Sequence, residues 1–309
     1  MATQKEVRTR ISSVKNIRKI TRAMEMVAAA RLRRAEQRID AMRPFAQAIR
    51  KVTQQVAEAS KNNESRVPLL QRHGEKPKRA GIVLVTGDRG LAGSINRQII
   101  RAGVKLGNEL RGDGVDVDYY VVGRRGASSL TFRGETVVDS FTGFTDRPSF
   151  SDAREIGEAV TSRYIDEELD RVELIYNRYV SPLTQYVRRQ TLLPLQEAEV
   201  YGEGIPEETE EGDTELAEAQ SRSEWIYEPE PEEALSLLFG EYVNLSVFRG
   251  LLESTASEHG ARMTAMRSAA DNAGDMIEAL TLEMNRVRQA EITQEILEVV
   301  GGAEALGSA

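Results

Sequence analysis

The chain has 309 residues, 29% of them charged and only 6% aromatic, which is the composition of long helices rather than of a large aromatic core. It has no cysteine, which excludes a disulfide framework and a thiolate metal site, and its two histidines, His73 and His259, lie far apart, which excludes a multi-histidine site. The net charge of −8 hides an asymmetry: residues 1–60 carry 14 Lys/Arg against 5 Asp/Glu, a net of +9, and residues 197–233 carry one Arg against 15 Asp/Glu, a net of −14.

From about Gln4 to about Ala59 the apolar residues recur every three or four positions. Val7, Ile11, Val14, Ile17, Ile20, Met24 and Val27 form one run, and Ala35, Ile39, Met42, Ile49, Val52 and Val56 another. That spacing draws a stripe along a helix, and a stripe this long wants a partner helix. As one helix the arm would be about 85 Å long. Pro44 removes a backbone donor mid-way, so a kink or break is expected near Arg43–Phe45. The excess basic charge fits a solvated face or a surface that meets acidic protein. Nucleic acid is a third option, but the arm lacks the interleaved aromatics of single-strand binders. The AAA at 28–30 reads either as an ordinary seam or as the place where a shaft passes through a narrow hole.

Residues 80–195 change character. AGIVLVTGD is a continuous apolar run expected to be a strand covered on both faces. SINRQIIRAGVKLGNEL reads as a helix, VDVDYYVVG as a strand and ETVVDSF as a weaker strand. SDAREIGEAVTSRYIDEEL reads as a helix whose Asp152 and Glu155 have capping-box spacing. VELIYNRYV and TQYVRRQTLLPL alternate as paired strands around a turn at Ser181–Pro182. The alternation of strand and helix predicts a small α/β domain. The acidic segment at about 202–222 reads as a solvated loop, followed by a short strand in SEWIYEP.

From about Pro231 the helical beat returns through Leu235, Leu238, Tyr242, Leu245, Leu252, Met263, Met266, Ala270, Ala273, Ile277, Leu280, Met284 and Val287. It is expected to stop at Gly301–Gly302. The organisation expected is therefore an N-terminal arm over 1–60, an α/β domain over 78–228 and a C-terminal arm over 231–303. The fold class is α/β: a long antiparallel coiled coil of N- and C-terminal helices with an inserted Rossmann-like α/β domain. No apolar run approaches the roughly 20 residues that cross a bilayer. MATQKEVRTR has neither an apolar signal core nor an Arg/Ser-rich leader, so the protein is expected to be soluble or held to a membrane only through partners.

TGDRGLAGSIN is the best candidate for a ligand site, because it follows a buried strand and opens a helix, where backbone N–H groups can hold phosphate. Its glycines, Gly87, Gly90 and Gly93, fit neither a Walker A loop nor G-x-G-x-x-G, and a tight turn with a helix cap explains them as well. Asp88 has no acidic partner at metal-binding spacing, and no nucleophile–base pair stands out. No catalytic, cofactor or metal residue is assigned.

ITRAMEMVAAARLRRAEQR, TGDRGLAGSIN and ASEHGARMTAMRSAADNAGDMIEALTLEMNRVRQAEITQEILEVVGGAEAL resemble the gamma subunit of F-type ATP synthase. The likeness covers nearly the whole chain. It implies a rotor shaft inside a ring of three alpha and three beta subunits, one copy per complex, with epsilon and the c-ring below and no nucleic acid. Membrane contact would come only through the c-ring, on the cytoplasmic face of a bacterial plasma membrane. It also implies that Arg22, Met24, Arg31 and Arg33 face an acidic lever of a beta subunit. Arg288, Gln289 and Thr293 would grip a beta-subunit catch loop, and Ile296, Val299 and Val300 would run in an apolar sleeve. The chain lacks the cysteine pair of the redox-regulated chloroplast form, and the acidic loop looks long for the family. A nucleotide-binding enzyme that uses the turn at 86–93 is the alternative.

Overall fold

A computed structural model describes residues 3–59, 68–71, 73–74, 76–195 and 231–307. The expected acidic loop at 202–222 and the strand in SEWIYEP lie outside them. Both chain ends are helical: α1 spans Gln4–Ala59 and α5 spans Pro231–Gly307. Pro44 sits inside α1. Helix α5 does not stop at Gly301–Gly302 as its glycines suggested. A glycine costs a helix only about 1 kcal/mol, too little to end one that alanine and leucine continue.

Between them lie β1 (Arg79–Val85), α2 (Ile95–Gly112), β2 (Asp116–Val122), α3 (Arg124–Phe132), β3 (Val137–Phe141), α4 (Phe150–Ile165), β4 (Arg171–Tyr179) and β5 (Gln185–Leu193). They build one five-stranded sheet in the order β3-β2-β1-β4-β5. The first four strands run parallel, and β5 returns antiparallel on β4. Helix α3 escaped the sequence reading because RRGASSLTF has no apolar stripe. The parallel pairing of β2 with β3 nevertheless requires a crossover there. The capping box of α4 is made by Ser149 and Asp152, three residues before the expected pair. Ser149 N donates to Asp152 Oδ2 at 2.7 Å, and Asp152 N donates back to Ser149 Oγ. The helix therefore begins at Phe150, and Asp152 is its third residue rather than its cap.

Alternate residues of the strands face opposite layers. Val83, Val85, Tyr120, Val122, Leu174 and Tyr176 meet α4 and the Phe239–Leu251 stretch of α5. Ile82, Leu84, Tyr119, Val121 and Ile175 meet α2 and α3. Gly107 lets α2 lie close to the sheet, since a Cβ there would stand 2.0 Å from the Tyr119 hydroxyl.

Contacts divide the chain into two compact units, Arg31–Gly260 and Met1–Ala30 with Ala261–Ala309. In the larger unit α5 is covered twice. One side lies on the sheet, while Leu245 and Leu252 pack with Met42 and the half-buried Ile39, Ala46 and Ile49 of α1. Residues 251–260 are consequently buried all round, although they include Glu253, Ser254, Thr255, Ser257, Glu258 and His259. In the smaller unit the two helices run antiparallel, because Gln4 N reaches Glu291 Oε1 and Glu25 reaches Arg267. Val7, Ile11, Ala28, Met266, Ala270 and Ala273 fill their seam. The single stripe read from Val7 to Val27 divides here: Ile17, Ile20 and Val27 are exposed. A two-helix seam covers only part of a wide stripe, and the remaining apolar residues stay outside it.

Candidate functional site

In the smaller unit, the α1 residues singled out by sequence cluster around a buried carboxylate. Glu25 is only 7% exposed and receives Arg267 Nε at 2.9 Å and Arg22 Nη1 at 2.9 Å. The hydrogen bond from Arg267 holds its carboxyl below the usual glutamate range against the opposing effect of burial, and the charge of Arg22 helps. Both arginine side chains remain largely exposed, so the cluster presents two cations and one buried anion. Met24 beside it is half-buried, and Met26 is exposed. The Arg22-x-x-Glu25 spacing was a legible signal for an ion pair. Arg267 carried no such signal, since its partner lies 242 residues away.

Farther along the same unit, Arg288, Gln289 and Thr293 lie on an exposed part of α5. Thr293 Oγ1 donates to the Gln289 carbonyl at 2.8 Å, an ordinary contact one turn back. Ile296, Val299 and Val300 are all more than half exposed, and so is Leu297. Four large apolar side chains on an otherwise solvated helix form a surface suited to an apolar partner.

In the larger unit, Arg31 Nη1 donates to Asp146 Oδ2 at 2.6 Å, and Arg89 lies 3.4 Å from the same oxygen. Burial pushes the Asp146 carboxyl up, but the hydrogen bond and charge of Arg31, with Arg89, bring it below the usual aspartate value. Arg31 is thus engaged within its own unit, whereas Arg33 is exposed. The same stretch of α1 is tied down twice more. Arg38 donates to the Pro148 carbonyl at 2.8 Å, and the Tyr179 hydroxyl donates to Glu36 Oε1 at 2.6 Å.

The turn at 86–93 is occupied by the protein's own groups. Asp88 Oδ1 accepts Arg124 N, and Asp88 Oδ2 accepts Gly143 N, Thr145 N and Thr145 Oγ1. Gly87 N donates to Asn96 Oδ1, and Asp88 N to Thr145 Oγ1. Gly123, at φ +90°, must be glycine, since a Cβ would stand 2.3 Å from the Thr86 carbonyl oxygen. Asp88 thus caps the first turn of α3, whereas the helix that the motif itself opens is α2, whose N-cap Ser94 makes no side-chain capping bond. The turn therefore joins β1, α3 and the segment after β3. Among the described residues there is no group of three or more metal-ligating side chains, and no helix is long and apolar enough to cross a membrane.

A family profile described as ATP synthase matches residues 3–306. The ATP synthase gamma chain of Saccharopolyspora erythraea is 41% identical over 323 aligned positions, covering 100% of this chain and 99% of that one. The gamma chain of Mycolicibacterium smegmatis is 39% identical, covering 99% and 98%. Among solved structures, a chain of the Tetrahymena thermophila mitochondrial ATP synthase central stalk and c-ring aligns at 28% identity with a TM-score of 0.57, covering 81% of this chain and 99% of its own. A chain of the Euglena gracilis mitochondrial enzyme, at 18% identity and a TM-score of 0.66, shares the fold over 99% of this chain and 95% of its own.

Proposed function

The chain belongs to the gamma-chain family of ATP synthases, and we propose from that premise how it works as the central rotor stalk of an F-type enzyme. It couples proton-driven rotation of the c-ring to ATP synthesis or hydrolysis on the alpha/beta hexamer. Its partners are the alpha and beta subunits, epsilon and the c-ring. The observation that carries this reading is a family match spanning residues 3–306.

The subunit has no active site of its own in this reading. Support comes from the turn at 86–93, where Asp88 and the surrounding amides satisfy one another. The coupling is mechanical: a shaft that presents different faces to three identical beta subunits gives each a different nucleotide affinity. Arg22, Met24, Arg31 and Arg33 face the acidic lever of a beta subunit, and Arg288, Gln289 and Thr293 meet a catch loop. Ile296, Val299 and Val300 turn in an apolar sleeve, which accounts for their exposure in the isolated chain. The complex holds the chain at the cytoplasmic face of a bacterial plasma membrane. One copy serves each complex.

The test is reconstitution of Arg288→Ala and Gln289→Ala chains with alpha and beta subunits. Coupled ATPase turnover is expected to fall while helix content stays unchanged. Wild-type turnover in both variants would remove these residues from the contact. Failure of the tagged chain to co-purify with alpha and beta subunits would defeat the rotor reading itself.

A further inference from the structure

Inside the larger unit, where the ends of β1 and β4 meet α5, a cavity of about 10 Å³ is lined by Thr86, Asn96, Thr145, Asn177, Thr255 and Glu258 among others. Asn177 is 1% exposed, and neither Oδ1 nor Nδ2 of its side chain has a hydrogen-bond partner among the described protein atoms. Its main chain is fully engaged: Asn177 N donates to Ser254 Oγ at 3.1 Å, and its carbonyl accepts Ser257 Oγ at 3.3 Å. The neighbouring hydroxyls have other tasks. Thr86 Oγ1 donates to the Val122 carbonyl and accepts Gly126 N. Thr145 Oγ1 serves Asp88, and Thr255 Oγ1 serves the Thr145 and Leu251 carbonyls.

A buried carboxamide with both ends unpaired is costly. The cavity's volume is near the roughly 10–15 Å³ that one water requires, and far below the several hundred a nucleotide needs. We propose that this cavity binds a single ordered water, anchored by the Asn177 carboxamide, which bridges the end of β4 to α5. The water accepts from Nδ2 and donates to Oδ1 and to an α5 oxygen in the lining, that of Ser254, Thr255 or Glu258. It adds a third link between the sheet and α5, beside the two made by the Asn177 main chain.

Two measurements test this. A structure of the assembled complex at a resolution that shows waters should place one density peak about 2.7–3.2 Å from the Asn177 carboxamide. An empty cavity overturns the proposal, as does an anomalous peak after rubidium replaces sodium and potassium, which would make the occupant a cation. The near-isosteric Asn177→Leu substitution in the full chain supplies an opposite-sign control. A water-paired amide predicts a melting temperature lowered by roughly 2–4 °C. An amide that is merely unpaired predicts that leucine leaves the melting temperature unchanged or raises it. If the leucine variant fails to fold, the density peak in the wild-type complex decides alone.

Discussion

Replacing Asp88 with alanine removes the acceptor that holds three segments of the larger unit together. Its carboxylate takes four hydrogen bonds, from Arg124 N, Gly143 N, Thr145 N and Thr145 Oγ1. The Arg124 and Gly143 amides lie at exposed positions, where water replaces the lost acceptor at little cost. Thr145 is buried, only 7% exposed, and each of its two hydrogen bonds to this charged acceptor contributes about 1.5 kcal/mol at the low end of the measured range. The ion pair with Arg124 at 3.9 Å adds nothing measurable. Asp88→Ala should therefore cost about 3 kcal/mol. That corresponds to about 6–12 °C in melting temperature for a unit of this size. Asp88→Asn keeps one acceptor oxygen and should cost about half as much. The assay is thermal melting of the full chain, with hydrogen exchange at the Arg124, Gly143 and Thr145 amides. A melting temperature within 2 °C of wild type (about 1 kcal/mol or less), or unchanged exchange at all three amides, would show that the carboxylate does not organise the turn.

Other expectations follow from the packing and the perturbed groups. Leu252 is 1% exposed between the sheet-bound and α1-bound sides of α5, so Leu252→Ala should cost about 2–5 kcal/mol in denaturant unfolding; a loss under 1 kcal/mol would mean that α1 does not press there. Asp146 has a lowered pKa in the fold, so its contribution is present above the ordinary aspartate value and is lost as the pH falls through the lower folded value. The gap in melting temperature between wild type and Asp146→Asn should be steady near neutrality and close only below about pH 4; a gap that persists into strong acid would refute the pairing. Tyr119 and Tyr176 are each raised to about 12, chiefly by burial, with Glu135 and Glu253 adding to it respectively. Their neutral forms favour the fold, so this contribution is complete below pH 10 and is lost as the pH climbs toward 12. Ultraviolet titration should show both phenols ionising well above the exposed tyrosines; ionisation of all tyrosines near pH 10 would contradict the burial.

The local patterns determined much of this protein. A spacing of three or four produced α1 and α5, apolar runs produced β1 and β2, a weaker run produced β3, and alternation around a turn produced β4 and β5. The motif residues from Ile20 to Arg38 and from Ala256 to Leu306 were enough to identify the family. Short and weakly patterned pieces were not legible. Helix α3 has no stripe, and the α4 cap was misplaced by one turn because two overlapping Ser/Asp/Glu spacings fit the same rule. Tertiary structure decided the rest. It chose which of the stripe residues are buried, taking Val7 and Ile11 into the seam and leaving Ile17, Ile20 and Val27 outside it. It buried residues 251–260 on every side, because α5 is pressed between the sheet and α1. It also paired Glu25 with Arg267 and Asp88 with Thr145, across 242 and 57 residues. Periodicity records only which side of an element is apolar. What covers that side, and which distant charge reaches a buried carboxylate, depends on where the other elements pack.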